Sequence, residues 1–218
     1  MVEINKLLLG ISQQTALDYV ISIIIAILFM RGIHDLYLFA YKHRLAKVKN
    51  LEIFVDSWFS YKPNWVWVYV SLYPVIIISA YTTKSINQFT YSLFSYFILA
   101  LILMIFYILF PVKVPEKWHK VLHRGNSFPE KMMISVRKFD APGNCFPSMH
   151  VSAAALTVLH LMANLPQLGI IPLIYLLLIS MSVLYTKQHY IADIIPGYVV
   201  GWISYKIFES LYGLYVIV

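Results

Sequence analysis

Charge is scarce in this sequence: only 12% of its 218 residues are Asp, Glu, Lys or Arg. Hydrophobic residues make up 60%, and the mean hydropathy is +0.72. That balance excludes an ordinary soluble domain and makes lipid the solvent. Cysteine is nearly absent. The single Cys145 cannot close an intramolecular disulfide, so helix packing must hold the fold, and cysteine usage says nothing about the redox compartment. Low-complexity stretches and internal repeats are missing too. The opening stretch MVEINKLLLGISQQTALDYV carries Glu3 and Asp18. It lacks the basic segment, apolar core and small-residue cleavage site of a secretory signal, so the N-terminus is read as retained. The net charge of +7 comes with no folded basic module. Lys and Arg interleaved with this much apolar sequence point to phosphate head groups and anionic lipid, and away from nucleic acid.

What the chain does have is long apolar runs bounded by charge or proline. They predict spans near Leu17–Leu38, Trp65–Tyr81, Phe89–Phe110, Pro147–Asn164, Leu168–Tyr185 and Tyr190 to about Phe208. At about 20 apolar residues per span, little else fits. The expectation is therefore all-α: a polytopic, multi-pass integral membrane protein, a six-transmembrane-helix bundle forming one domain over residues 1–218. Arg31, His34 and Asp35 interrupt the first run, and Arg31 and Asp35, spaced i, i+4, can neutralise each other on one helix face. Trp65, Trp67, Tyr69 and Tyr73 lie where an aromatic interface belt would anchor a span. Two basic loops, Tyr41–Asn64 and Pro111–Phe146, fall on one face of a six-span bundle together with Lys187. They collect most of the 17 Lys and Arg residues, and the positive-inside rule puts that face in the cytoplasm.

Two clusters carry chemistry. The second basic loop ends in Asn144-Cys145-Phe146-Pro147-Ser148-Met149-His150, and an apolar run follows at once. Proline suits a first helical turn, so Ser148, Met149 and His150 are expected to present free backbone N–H groups at a positive helix end, which binds anions. An imidazole there can pass a proton to an oxygen leaving group. The other cluster, Gln188-His189-Tyr190-Ile191-Ala192-Asp193, opens the last run. Its i, i+4 spacing puts the Asp193 carboxylate one helical turn from the His189 imidazole, where it can hold one ring nitrogen and leave the other as a nucleophile for phosphoryl transfer.

Pro147-Ser148-Met149-His150 resembles the Pro-Ser-x-His second motif of the type 2 phosphatidic acid phosphatase superfamily, and His189-x-x-x-Asp193 resembles the end of its third motif. They occur in the family's order, and the resemblance covers a core at about 110–205. It implies that His189 is the nucleophile, Asp193 its orienter and His150 the general acid, with Ser148 and the Met149 backbone holding phosphate. It also implies lipid phosphate or phospholipid substrates in a membrane, with no metal and no cofactor. The third motif usually begins Ser-Arg, and here those positions are Ser182 and Val183, so Lys187 is the candidate replacement for the missing cation. For the first motif Lys113 is preferred over Lys117 with Arg124, because it directly follows the third span. Losing the upstream Arg while keeping both histidine motifs is similar to the lipid phosphotransferase branch, including inositol-phosphorylceramide and sphingomyelin synthases. Transfer to an alcohol therefore competes with hydrolysis. A metal held by His150, His189 and Asp193, and a non-catalytic binder or transporter of anionic lipid, are the remaining alternatives. His34, His43, His119 and His123 read as loop or interface residues, and His160 as buried and hydrogen-bonded.

Overall fold

Prolines and capping serines cut the apolar chain into helices. The structure is a computed structural model that describes residues 16–118, 127–139 and 143–217; the expectations for the N-terminal segment and for His119, His123 and Arg124 lie outside them. In chain order the helices are α1 (Ala16–Lys42), α2 (Val66–Val70), α3 (Leu72–Tyr81), α4 (Ile86–Leu109), α5 (Phe128–Phe139), α6 (Met149–Asn164), α7 (Ile171–Tyr185) and α8 (Ile194–Ile217). Short 3-10 turns join several of them, and no strand occurs among the described residues. Ser85 caps α4 by accepting the Gln88 N–H at 3.1 Å, and Pro111 follows the end of that helix. Pro74 cannot donate to the carbonyl of Val70, and the helix breaks at Ser71 into α2 and α3.

The all-helical expectation holds. Three stretches, Ile21–Lys42, Pro63–Tyr81 and Ile86–Leu109, are long and apolar enough to cross a membrane. Helices α6 and α7, with 16 and 15 residues, are apolar but fall short of the roughly 20 residues that span about 30 Å of hydrocarbon. Helix α8 has 24 residues and carries the ion-paired Lys206 and Glu209. Length and composition alone thus account for fewer than six spans. Large apolar side chains nonetheless face outward, among them Ile24, Ile27 and Leu28 on α1 and Ile174 and Leu177 on α7. Arg31 and Asp35 do pair, at 2.9 Å on an exposed face of α1.

Helix α1 packs on α4, and α6 packs between α8 and α7. Tyr96, Leu99 and Leu103 of α4 meet Leu156 of α6 and Val200 and Phe208 of α8 in the main core. The α6–α8 approach is set by Gly197 and Gly201, one turn apart. A Cβ on Gly201 would lie 2.5 Å from the Ser152 carbonyl oxygen and 2.7 Å from the Ala155 Cβ. On Gly197 it would meet the Val151 side chain at 3.1 Å and the Ser148 carbonyl at 3.2 Å. Small residues at this spacing let two backbones touch, which is how helices associate where lipid removes the hydrophobic drive. Contact this close brings the N-terminal ends of α6 and α8 side by side.

Gly201→Ala should therefore lower stability by about 1–3 kcal/mol through overpacking. Gly213→Ala, where an added Cβ meets nothing within 4 Å, should keep or raise the melting temperature of the detergent-solubilised protein. Equal melting temperatures for the two variants would contradict this account of the α6–α8 contact.

Candidate active site

His189 precedes a 3-10 turn, Ile191–Asp193, that leads into α8, so the pair does not stand on a regular helix as its spacing suggested. The turn closes locally: the Tyr190 N–H donates to Asp193 Oδ2 at 2.9 Å, and the Asp193 N–H donates to the Tyr190 carbonyl at 3.1 Å. This bends the carboxylate back under the imidazole. His189 Nδ1 lies 3.1 Å from Asp193 Oδ2 and 3.0 Å from the Cys145 carbonyl oxygen. Both neighbours only accept, so Nδ1 carries the ring proton and Nε2 keeps its lone pair. Asp193 is fully buried, and its second oxygen, Oδ1, has no hydrogen-bond partner among the described residues.

Ser148 is the N-cap of α6, its hydroxyl accepting the Val151 N–H at 3.3 Å. Pro147 lies outside the helix, and the Ser148 amide is spent on the Asp193 carbonyl at 3.3 Å, correcting the expectation that it is free. That bond links the two motifs directly. Met149 and His150 occupy the first turn, where a helix offers their amides no carbonyl. The His150 ring lies nearly parallel to Tyr69, centroids 3.7 Å apart, with the edge of Tyr73 at 5.7 Å. Its Nε2 sits 2.9 Å from the Tyr69 carbonyl, so Nε2 is the N–H and Nδ1 the acceptor. Tyr69 is thus a buried packing partner of His150 and not an interface anchor, because the break at Ser71 leaves its carbonyl to a side chain.

Three loop segments lace together beside this pair. Lys113 N–H donates to the Lys49 carbonyl at 3.1 Å and Cys145 N–H to the Val112 carbonyl at 3.1 Å, fixing the carbonyl that holds His189. The Tyr190 hydroxyl lies 2.7 Å from the Lys113 carbonyl and 2.8 Å from Asn50 Oδ1. The Lys113 ammonium is half exposed, 3.5 Å from Glu116, while Lys117 pairs with Glu52 at 2.6 Å. Lys187 adopts a left-handed backbone, φ +57°, and turns its ammonium to the Asp56 carbonyl at 2.8 Å and over the Trp118 ring at 4.4 Å. Burial holds that ammonium below the usual lysine range, and Asp56 and Glu52 offset part of the effect. Arg137 of α5 donates to the Lys187 carbonyl at 3.3 Å. Val183, at the position of the missing Arg, is fully buried against Tyr69 and Val151. Among possible metal donors, Cys145 Sγ, His189 Nδ1 and a carboxylate oxygen of Asp193 lie within 4.8 Å of one another. His160 sits in the α4–α6–α8 core, its Nε2 3.0 Å from Ser95 Oγ.

A family model described as the PAP2 superfamily matches residues 34–207. The chain belongs to the PAP2 superfamily. No curated protein and no solved structure matches it. The match begins inside α1, well before the motifs, so the first helices share the family pattern with the histidine-bearing half. Membership makes the protein a phosphatase-type enzyme of the kind that acts on lipid phosphates, and with its three apolar helices it fits an integral membrane setting.

Sequence reasoning missed Asp56. This buried residue of the first loop accepts the Ile53 N–H on Oδ2 at 2.8 Å and the Ile191 N–H on Oδ1 at 2.9 Å, tying that loop to the turn between His189 and Asp193. No periodicity marks it, and it shares an otherwise basic loop with a second carboxylate, Glu52. Asp56→Ala orphans two amides at about 1–3 kcal/mol each. In this PAP2 protein it should lower the melting temperature and cut turnover more than it changes KM. Unchanged turnover in a folded variant would remove Asp56 from the support of the site.

Proposed function

We propose that this PAP2 protein is a multi-pass integral membrane enzyme, with six transmembrane helices in one domain, that cleaves the phosphoryl group of a lipid phosphate through a phosphohistidine on His189. The observation that carries the reading is the pair of acceptors on His189 Nδ1, which leaves the Nε2 lone pair for attack. In the first step the Nε2–P bond forms and the P–O bond to the lipid alcohol breaks. The phosphorylated ring becomes cationic, and Asp193 stabilises it through Nδ1–H. His150 protonates the departing alkoxide from Nδ1, since its Nε2–H is committed to the Tyr69 carbonyl. That carbonyl and the stacked face of Tyr69 hold the His150 ring in place. In the second step water attacks phosphorus, the Nε2–P bond breaks and His150 Nδ1 takes the proton.

Phosphate would be held by the Met149 amide at the α6 N-terminus and by Ser148, whose hydroxyl accepts from Val151 but keeps its own hydrogen to give. Lys113 and Lys187 would supply positive charge from the loops beside the histidine pair, Lys113 by swinging from Glu116. For α6 and α7 to span, the bilayer must thin locally or their polar ends must be buried against the loops. A second reading, transfer of a phospho-headgroup to an alcohol, is favoured by Val183 in place of the phosphate-binding Arg, the pattern of the phosphotransferase branch. The first step is the same and the acceptor differs.

His189→Ala should reduce turnover by more than about a thousandfold. Retained activity on every lipid phosphate would dismiss it as the nucleophile, and rapid-quench trapping of phosphohistidine on residue 189 would establish the intermediate. His150→Ala should hurt alkyl phosphates much more than activated aryl phosphates, because only the alkoxide needs a strong proton donor. Equal losses would count against the general-acid role. Labelled lipid phosphates and phosphodiesters, resolved into free phosphate and new phospholipid, separate hydrolysis from transfer.

A further inference from the structure

Three side chains able to ligate a metal converge on one nitrogen. Around His189 Nδ1 lie the Cys145 carbonyl oxygen at 3.0 Å, Asp193 Oδ2 at 3.1 Å and Cys145 Sγ at 3.7 Å. Asp193 Oδ1, on the same carboxylate, is buried and has no partner among the described residues. The ring proton serves the carbonyl and Oδ2, and Oδ2 also accepts the Tyr190 N–H. The Cys145 thiol donates to the Gln188 carbonyl at 3.2 Å, so an ion bound here replaces the ring and thiol protons. The spacing fits one as well. A tetrahedral ion with bonds of about 2.3 Å to sulfur, 2.0 Å to nitrogen and 2.1 Å to oxygen holds S and N about 3.5 Å apart, and N and O about 3.4 Å apart. The observed separations, 3.7 Å for Sγ to Nδ1 and 3.1 Å for Nδ1 to Oδ2, differ from these by a few tenths of an ångström. All three side chains are buried, as a ligand set is in a structural or inhibitory site.

We propose that Cys145, His189 and Asp193 form a site for a borderline-soft divalent cation of the Zn2+ class, and that its occupancy silences the enzyme. The sulfur donor selects against Mg2+ and Ca2+, which take oxygen ligands. On binding, the Cys145 thiol releases its proton to solvent and binds as thiolate, and Asp193 binds as carboxylate. His189 Nδ1 gives its lone pair to the ion, so the ring proton moves to Nε2. The complex forms with net release of one proton. Resting on the phosphohistidine reading, the consequence is direct: the nitrogen that would attack phosphorus has become an N–H donor. This ion is an inhibitor and not a cofactor, so a chelator should restore activity where it would abolish that of a metal enzyme.

The test uses the purified full chain, stripped with chelator and titrated in micelles with Co2+ and then Zn2+, without substrate. The expected result is one Co2+ per chain with a near-ultraviolet thiolate-to-Co2+ charge-transfer band, lost on replacement by Zn2+. Cys145 is the single cysteine, so the band has one possible source. Cys145→Ser should abolish the band and weaken Zn2+ binding at least tenfold. Co2+ binding without the band, as at surface histidines, overturns the site, and so does unchanged Zn2+ affinity in the variant. The wild-type band alone decides the matter if the variant does not fold. These readouts need no turnover and are independent of the catalytic reading. On active protein, Zn2+ should stop phosphate release and chelator should restore it; full activity of the loaded enzyme would overturn the silencing.

Discussion

Everything at the site depends on how closely α8 can approach α6. Gly197 and Gly201 let the backbones touch along the first turns of α8, with no room for a Cβ at residue 201. Because His189 and Asp193 directly precede α8, and Ser148 and His150 open α6, that contact fixes the distance between the two motifs. The Ser148 N–H to Asp193 carbonyl bond follows from it, as do the buried surroundings of both imidazoles. A bulkier residue at 201 would act on chemistry it never touches, by moving one helix start past the other.

A second constraint is the cost of unpaired polar groups in apolar surroundings. The fold meets it by spending backbone carbonyls on side chains. The break before Pro74 hands the Tyr69 carbonyl to His150, the laced loops hand the Cys145 carbonyl to His189, and the first loop hands the Asp56 carbonyl to Lys187. The carbonyls lie at the end of α2, in a loop and in a 3-10 turn, where no α-helical N–H claims them. The irregular pieces of this mostly helical chain are thus concentrated where polar side chains need partners, in line with non-helical backbone being tolerated at membrane depth only when protein buries it.

The legible part of this arrangement was the part that chemistry makes costly. His150, His189 and Asp193 stand out because charge is rare in the apolar runs, and the helices follow from those runs and their prolines. The shape of the His189–Asp193 turn was not legible, because i, i+4 spacing fits a helix and a closed turn equally well. Nor was the role of Tyr69, whose aromatic neighbours and position near a span end mimic an interface belt; Pro74 was the available signal that its carbonyl would be freed. Asp56 and Lys187 meet across more than a hundred residues of chain, and no local pattern encodes a pairing of that kind. The distinction between three apolar helices of full length and two short ones, α6 and α7, rests on where caps and turns trim each run.

The two histidines are chemically identical side chains, and the fold distinguishes them by which nitrogen it spends. His189 gives Nδ1–H to a carboxylate and a carbonyl, so its remaining nitrogen is Nε2, at the far tip of the ring, where a lone pair can reach phosphorus. His150 gives Nε2–H to a carbonyl alone, so its remaining nitrogen is Nδ1, close to its own backbone at the N-terminus of α6. A nucleophile gains from a formal negative charge behind it, which stabilises the cationic phospho-ring. A proton carrier must give its proton up again, and a neutral carbonyl partner holds it less tightly than a carboxylate would. The placement of Asp193 behind one ring and of a bare carbonyl behind the other is thus sufficient to divide the labour proposed for them, with no difference in the residues themselves.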